Sequence, residues 1–86
     1  MFQILYAPDV VKEHIPKLSA GVARKVKKAI EKKLAIDPVA YGKPLRRSLK
    51  GLRRLRVEDH RVIYKIDHDN QRVVILIIGH RKDVYE

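Results

Sequence analysis

Residues Lys43–Tyr64 read KPLRRSLKGLRRLRVEDHRVIY, and the rest of the chain is best interpreted from this stretch. Its first part carries seven positive charges and no acid: Lys43, Arg46, Arg47, Lys50, Arg53, Arg54 and Arg56. It continues into the alternating pattern of a β-strand. Residues two apart on a strand share a face, so Arg54 and Arg56 point one way and Leu55 the other. We therefore expect two guanidinium groups about 7 Å apart on one surface, which suits a phosphodiester backbone.

The whole chain is short and strongly basic, with 86 residues and a formal net charge of +10. This length predicts a single domain over residues 1–86. The charge indicates a polyanionic partner, with nucleic acid ahead of an acidic protein or an anionic membrane. The lack of cysteine excludes disulfide and thiolate chemistry and fits a reducing cytoplasm. No segment has the pattern of a signal peptide or the length of a membrane span, so we expect a cytoplasmic protein.

The N-terminal segment has the pattern of a strand followed by a short helix. Phe2, Ile4 and Tyr6 alternate with their neighbours, as in a strand. Asp9 is a candidate N-cap for the helix that follows. Pro16 lacks an N–H donor and clashes with the preceding turn, so we expect that helix to stop or kink near His14.

A second helix is predicted after Ser19, a candidate N-cap. Apolar residues recur at helical spacing and predict a face packed on the core: Val22, Val26, Ala29, Ile30 and Leu34. The opposite side is rich in lysine, which is first a solvated face and second a set of RNA contacts, among them Lys25, Lys28 and Lys32. Asp37-Pro38 ends the helix, and residues 37–44 read as a turn-rich connector.

The C-terminal half carries three strand signals, at residues 52–57, 61–66 and 72–78. Glu58, Asp59 and His60 form the first turn, in which the two acids are ordinary turn residues. The last strand is almost wholly apolar, which predicts burial on both faces and a central position in the sheet. The order β-α-α-β-β-β predicts an α+β fold, with two N-terminal helices on one face of a mostly antiparallel four-stranded sheet.

Few residues carry the pattern of catalytic chemistry. The four histidines are scattered without ligand spacing, so we expect no metal and no cofactor. No glycine-rich phosphate loop or nucleophile motif occurs. What remains is a cationic cluster on strands and strand ends, comprising Arg54, Arg56, Arg61 and Arg81, joined by His80 and Tyr85.

Two segments, LKGLRRLRVEDHRVIYKID and VVILIIGHRKDVYE, make the chain resemble the RelE/ParE toxin superfamily, and specifically its RelE branch. The opening strand, the two helices, DPVAYGKPL and the terminal GHRKDVY also fit, so the resemblance covers nearly the whole chain. It implies the RelE-like microbial RNase fold. It also implies a toxin of a type II toxin–antitoxin pair, which enters the ribosomal A site and cleaves mRNA without a metal. The expected partners are the ribosome, mRNA and a small RelB-like antitoxin, with no membrane.

The resemblance assigns roles to individual positions. Arg61 matches the family's catalytic arginine, Arg81 the arginine after the last strand, and Tyr85 the C-terminal tyrosine that stacks on a base. Arg54 and Arg56 fall where RelE proteins carry a pair of lysines, one of them proposed as a general base. Arginine is effectively never deprotonated. Either the base is another group, such as His80, or the reaction relies on electrostatics alone.

The implied reaction is attack of a ribose 2′-hydroxyl on the adjacent phosphate, with Arg61 and Arg81 stabilising the growing charge. Ribosome affinity would come from the remaining basic residues: Lys43, Arg46, Arg47, Lys50, Arg53, Lys25, Lys28 and Lys32. Two other classes stay open. One is a ParE-like inhibitor of DNA gyrase without nuclease activity, and the other is a non-catalytic module that binds ribosomal RNA.

Overall fold

The computed structural model describes residues 1–46 and 50–84, and its centre is a five-stranded mixed sheet. The strands are β1 (Gln3–Tyr6), β2 (Lys43–Pro44), β3 (Arg53–Val57), β4 (His60–Asp67) and β5 (Arg72–His80). Their order is β1-β5-β4-β3-β2, with β1 parallel to β5 and every other pair antiparallel. The predicted α+β class is confirmed. The fifth strand is the short β2, which the sequence analysis assigned to the connector.

The first helical segment runs over Val10–His14 with π-type hydrogen bonds and continues as a 3₁₀ turn over Ile15–Lys17. The predicted break near His14 is therefore confirmed, because Pro16 permits only a tight turn there. The predicted cap is wrong. Asp9 has helical backbone angles and makes no side-chain capping hydrogen bond.

The second helix runs over Ala20–Ala29 and continues with wider, π-type turns over Ile30–Leu34. Ser19 is confirmed as its cap, since the Ser19 Oγ accepts a hydrogen bond from the Val22 N–H at 3.2 Å. A short third helix, Pro38–Tyr41, replaces part of the expected connector. It forms because Asp37 accepts from the Ala40 N–H at 3.1 Å and proline occupies the first helical position.

The core lies between the second helix and the inner face of the sheet. Its buried members are apolar except for the Tyr64 hydroxyl, and they come from every predicted element but the first strand, whose apolar side chains are only partly buried: Val10, Val26, Ile30, Leu34, Leu55, Val62, Tyr64, Val73, Ile75 and Ile78. The predicted apolar stripe of the second helix is thus confirmed as its core face. Burial of this size is the main stabilising term of a small domain.

The other face of the sheet is less covered than the sequence suggested. β5 is an interior strand, as predicted, but Ile77 is 40% exposed whereas Ile75 is fully buried. The expectation that β5 is buried on both faces is therefore wrong. Apolar side chains of β5 lie on this face although none of the described helices covers it. A continuous apolar run therefore did not distinguish a strand buried on both faces from a strand with one partly exposed face.

The connector is fastened to the inner face by Arg53 and Tyr64. The Tyr64 hydroxyl donates to the Pro38 carbonyl at 2.6 Å, and Arg53 Nη2 donates to the Val39 and Gly42 carbonyls at 2.7 and 2.9 Å. Gly42 must be glycine here, because a Cβ at this position would overlap the Tyr64 hydroxyl. No helix within residues 1–46 and 50–84 has the length and apolar character needed to cross a bilayer.

Candidate functional site: an arginine cluster on the open face

Strand register brings three of the candidate arginines onto the face of the sheet opposite to the helices. Arg56 is the direct cross-strand partner of Arg61, and Arg54 lies two residues before Arg56. On the other side of β4, Arg61 is paired with Gly79. The predicted common orientation of Arg54 and Arg56 is confirmed, with Leu55 buried in the core between them. We call this surface the arginine face.

Arg61 lies at the centre of the arginine face and is buried, with only 7% of its surface exposed. Its Nη1 donates to the Glu58 carbonyl at 3.1 Å and to the His60 carbonyl at 3.0 Å. The Glu58 carbonyl belongs to the turn between β3 and β4, and the His60 carbonyl belongs to the first residue of β4. The guanidinium is therefore held in one orientation by main-chain atoms, which suits a group that must meet charge at a fixed point.

The electrostatic environment of Arg61 is crowded with positive charge. Burial lowers the pKa of its guanidinium below the usual range. Three neighbouring cations lower that pKa further, in the order Arg56, Arg54 and Arg81. The Asp59 carboxylate acts in the opposite direction. Neighbouring like charges repel each other in the free protein, and an anion placed among them relieves the repulsion.

Arg81 follows β5 and joins the cluster through the same turn. Its main-chain N–H donates to the Asp59 carbonyl at 2.8 Å, and its Nε lies 3.9 Å from Asp59 Oδ1. Its side chain remains more than half exposed. One turn of the chain thus holds Arg61 and Arg81 beside each other, with one buried and the other open to a ligand.

His80 is not brought to the arginine cluster. It pairs with His60 in the sheet, on the same side as Val62 and Ile78, and the two imidazole rings meet edge to face at 5.4 Å. Its Nδ1 accepts a hydrogen bond from the Lys82 N–H at 3.2 Å. The side chain lines a separate cavity of about 340 Å³, together with His60 and His14. The structure therefore disfavours the suggestion that His80 is the base.

His14 has a hydrogen-bond partner that the sequence pattern does not reveal. Its Nδ1 accepts the Ile78 N–H at 3.3 Å. This N–H belongs to the part of β5 that extends past the end of β1. The His14 side chain therefore accepts a hydrogen bond from a main-chain N–H that the short β1 does not reach, which is a structural role.

The other predicted contact residues differ in their surroundings. Arg53 points to the helix side and is occupied with main-chain carbonyls, so it is unsuited to an RNA contact there. Lys25 forms an exposed ion pair with Glu58 at 3.3 Å. The remaining described lysines and arginines of the set are all exposed: Lys28, Lys32, Lys43, Arg46 and Lys50. Two predicted residues, Arg47 and Tyr85, lie outside the described residues.

Within the two described ranges of the chain, no three His, Cys, Asp or Glu residues are grouped so that they could hold an ion. Sequence reasoning missed that main-chain carbonyls, those of Glu58, Asp59 and His60, hold both arginines in place. The signal was the turn Glu58-Asp59-His60 directly before Arg61, but only the register shows that its carbonyls face the guanidinium and the end of β5.

Comparison with known proteins gives a consistent result. The model of the ParE toxin family of type II toxin–antitoxin systems matches residues 9–85. Toxin RelG of Mycobacterium tuberculosis is 44% identical over 52 residues, which are 60% of this chain and 60% of that protein. Toxin RelE of the same organism is 45% identical over 49 residues, 57% of this chain and 50% of that protein. These matches thus span only half to three-fifths of the two toxins.

Solved structures match over nearly the whole length. The toxin–antitoxin complex RelBE2 of Mycobacterium tuberculosis contains a chain with a TM-score of 0.84 and 30% identity, covering 93% of this chain and 98% of that one. A chain of the Escherichia coli RelBE toxin–antitoxin complex has a TM-score of 0.73 at 20% identity, covering 93% and 96%. The second likeness concerns the fold alone.

Proposed function

The chain belongs to the ParE toxin family and is a RelE-type toxin of a type II toxin–antitoxin system, and from this premise we propose that it is an endoribonuclease. The substrate of the proposed activity is mRNA in the A site of the ribosome. The reaction needs no metal, and it yields a cyclic phosphate and a free 5′-hydroxyl.

The observation that carries the proposal is the placement of Arg61. It is buried, fixed by two carbonyls and surrounded by the charges of Arg54, Arg56 and Arg81. A buried cation with three cationic neighbours costs stability, and such arrangements are typical of functional sites rather than of scaffolds. The site is complementary to an anion with several oxygens.

The chemistry follows from where charge grows. When a 2′-hydroxyl attacks the adjacent phosphorus, negative charge increases on the non-bridging oxygens. Arg61 cannot move away from that charge, and Arg81 is exposed enough to meet it directly. Arg54 and Arg56 would hold the neighbouring phosphates in bidentate fashion. Stacking of Tyr85 on a base stays a prediction.

Binding to the ribosome would draw on the exposed basic residues around the arginine face. With a net charge of +10, affinity for RNA should fall steeply as salt rises. A RelB-like antitoxin is the proposed inhibitory partner, since the structural relatives are toxin–antitoxin complexes. Such a partner would neutralise the toxin by covering the arginine face with acidic residues.

The test is to add the purified protein to translating ribosomes and map the mRNA ends, alongside Arg81→Ala. We expect cuts at A-site codons in the wild type and a rate lower by a factor on the order of 10²–10³ in the variant. Arg72→Ala is the matched control, because Arg72 is an exposed arginine at the opposite end of the same strand. It should cut at the wild-type rate.

Other outcomes identify the other classes. Gyrase trapped on DNA with intact mRNA would replace this proposal with that of a gyrase inhibitor. Ribosome binding without any cut would replace it with that of an RNA-binding module. Cuts that do not depend on ribosomes would contradict A-site action.

A further inference from the structure

The proposed reaction needs a group that accepts the proton of the 2′-hydroxyl. The arginines of the cluster cannot serve, since a guanidinium stays protonated in proteins. His80 lies on the helix side of the sheet, with its Nδ1 engaged by a main-chain N–H. The acceptor must therefore be sought among the other groups near Arg61 and Arg81.

The turn between β3 and β4 supplies two carboxylates at this place, and they face different partners. Glu58 is turned towards the second helix and pairs with Lys25 at 3.3 Å. Asp59 is turned towards the cluster, with Oδ1 at 3.9 Å from Arg81 Nε. Its negative charge is also felt by Arg61, where it opposes the effect of the three neighbouring cations. Asp59 is thus the turn's carboxylate that belongs to the arginine cluster.

The position of Asp59 is fixed, yet its carboxylate is open. Its own carbonyl accepts the Arg81 N–H, and the carbonyls on either side of it hold Arg61. Its side chain is nevertheless 67% exposed, and a contact of 3.9 Å to Arg81 is an ion pair rather than a close hydrogen bond. A ligand drawn in by the two arginines would meet a carboxylate beside its phosphate.

We infer that Asp59 is the general base of the cleavage, an inference that rests on the proposed function. Its carboxylate takes the proton of the 2′-hydroxyl as the 2′ oxygen bonds to phosphorus, and the bond from phosphorus to the 5′ oxygen breaks. The 5′ oxygen takes a proton from water, and Asp59 returns its proton to the solvent. The products are a cyclic phosphate and a 5′-hydroxyl. Arg61 and Arg81 stabilise the charge on the non-bridging oxygens throughout.

Asp59→Asn distinguishes a general base from a purely electrostatic effect. Loss of the negative charge favours RNA binding, whereas loss of the base lowers the rate of cleavage. Removing a negative charge from a basic surface should tighten binding to RNA and lower KM or leave it unchanged. Removing a general base should lower kcat by a factor on the order of 10²–10⁴. The measurement is the rate of A-site cleavage against protein concentration, with thermal melting to confirm that the variant is folded.

Glu58→Gln is the matched control. It removes the same charge from the same turn at nearly the same exposure, 65% against 67%, and keeps the main-chain carbonyl that holds Arg61. Its KM should change as in Asp59→Asn, whereas its kcat should stay within about twofold of the wild type. A large difference in kcat between these two variants would support the assignment.

Rescue by a small carboxylate distinguishes a base from a residue that only positions Arg81. Acetate, compared with the same concentration of chloride, should restore part of the kcat of Asp59→Gly and none of the kcat of Arg81→Ala. Loss of kcat without any restoration would assign Asp59 to the placement of Arg81 and overturn the inference.

The failures of the two proposals are distinguishable. If the wild type leaves A-site mRNA intact, the proposed function fails and the inference fails with it. If the wild type and Asp59→Asn cut with the same kcat, the nuclease stands and Asp59 is not its base.

Discussion

The two faces of the sheet use the same residue types for different purposes, as Arg53 and Arg56 of β3 show. Arg53 points to the helix side, where it donates to the Val39 and Gly42 carbonyls and fastens the connector. Arg56 points to the arginine face, opposite Arg61 in the register. One guanidinium satisfies polar groups of the fold, and the other adds charge to a place that is already positive.

This contrast separates stability from function within one small domain. On the helix side, apolar burial and hydrogen bonds to carbonyls stabilise the fold. On the arginine face, like charges directly opposite each other destabilise a sheet. Substitutions that remove packing or hydrogen bonds on the first face should therefore lower stability, whereas removing one exposed positive charge from the second should raise stability and lower activity.

The largest expected effect is a difference in the free energy of unfolding between alanine variants of two isoleucines of β5. Ile75→Ala should lower the free energy of unfolding by about 2–5 kcal/mol, because Ile75 is fully buried in the core and truncation leaves a cavity. Ile77→Ala should lower it by less than about 1 kcal/mol, because Ile77 is 40% exposed on the other face. Urea denaturation of both variants checks the prediction. Equal losses would show that the two faces are packed alike.

The next effect concerns the arginine that fastens the connector. Arg53→Gln removes two charge-assisted hydrogen bonds to carbonyls and should lower the free energy of unfolding by about 1.5–3 kcal/mol. Arg72→Gln, at the exposed start of β5, is the control and should change it by less than about 0.5 kcal/mol. Chemical denaturation measures both. If Arg53→Gln left stability unchanged while weakening RNA binding, Arg53 would be a contact residue after all.

The sequence predicted the fold well where one physical rule decides the outcome. The helical spacing of Val26, Ile30 and Leu34 identified the core face of the second helix, and the alternation around Leu55 identified both faces of β3. These patterns reflect burial, because the spacing of apolar residues within one short segment identifies the face that is buried. The short strand β2 was missed, because a pair such as Lys43–Pro44 is extended only through its partner strand.

The candidate site was predictable in part. Arg54, Arg56, Arg61 and Arg81 are brought into electrostatic contact as expected. The role of the turn was missed, since carbonyl directions depend on the register of β3, β4 and the end of β5. The same alternation that grouped Arg54 with Arg56 already placed Arg53 on the other face.

A smaller effect of opposite sign is expected on the arginine face. Arg56→Gln should raise the free energy of unfolding by about 0.2–1 kcal/mol, because it removes a like charge directly opposite Arg61. It should also weaken RNA binding. Thermal melting in low and high salt measures the effect, which should shrink towards about 0.5 M salt as the charges are screened. A destabilised variant, or a gain that does not depend on salt, would refute the contrast between the faces.

The smallest effect lies at the turn after β4, at the end of the strand remote from Arg61, where Asp67 accepts hydrogen bonds from its own turn. The Asn70 side-chain and main-chain N–H groups donate to Asp67 at 2.9 and 3.3 Å, and these bonds lower the pKa of Asp67 below its ordinary value of 3.8. A lowered pKa stabilises the fold above the unfolded value, and this stabilisation is lost as the pH falls through the folded value. Asn70→Ala removes the side-chain donor, so the Asp67 pKa should move back towards 3.8 and the variant should lose less stability on acidification below that pH. Carboxyl titration by NMR and thermal melting across this range measure both effects. An unchanged Asp67 pKa in the variant would show that the main-chain N–H groups of Asp69 and Asn70 and the charge of Arg72 account for the shift without the Asn70 side chain.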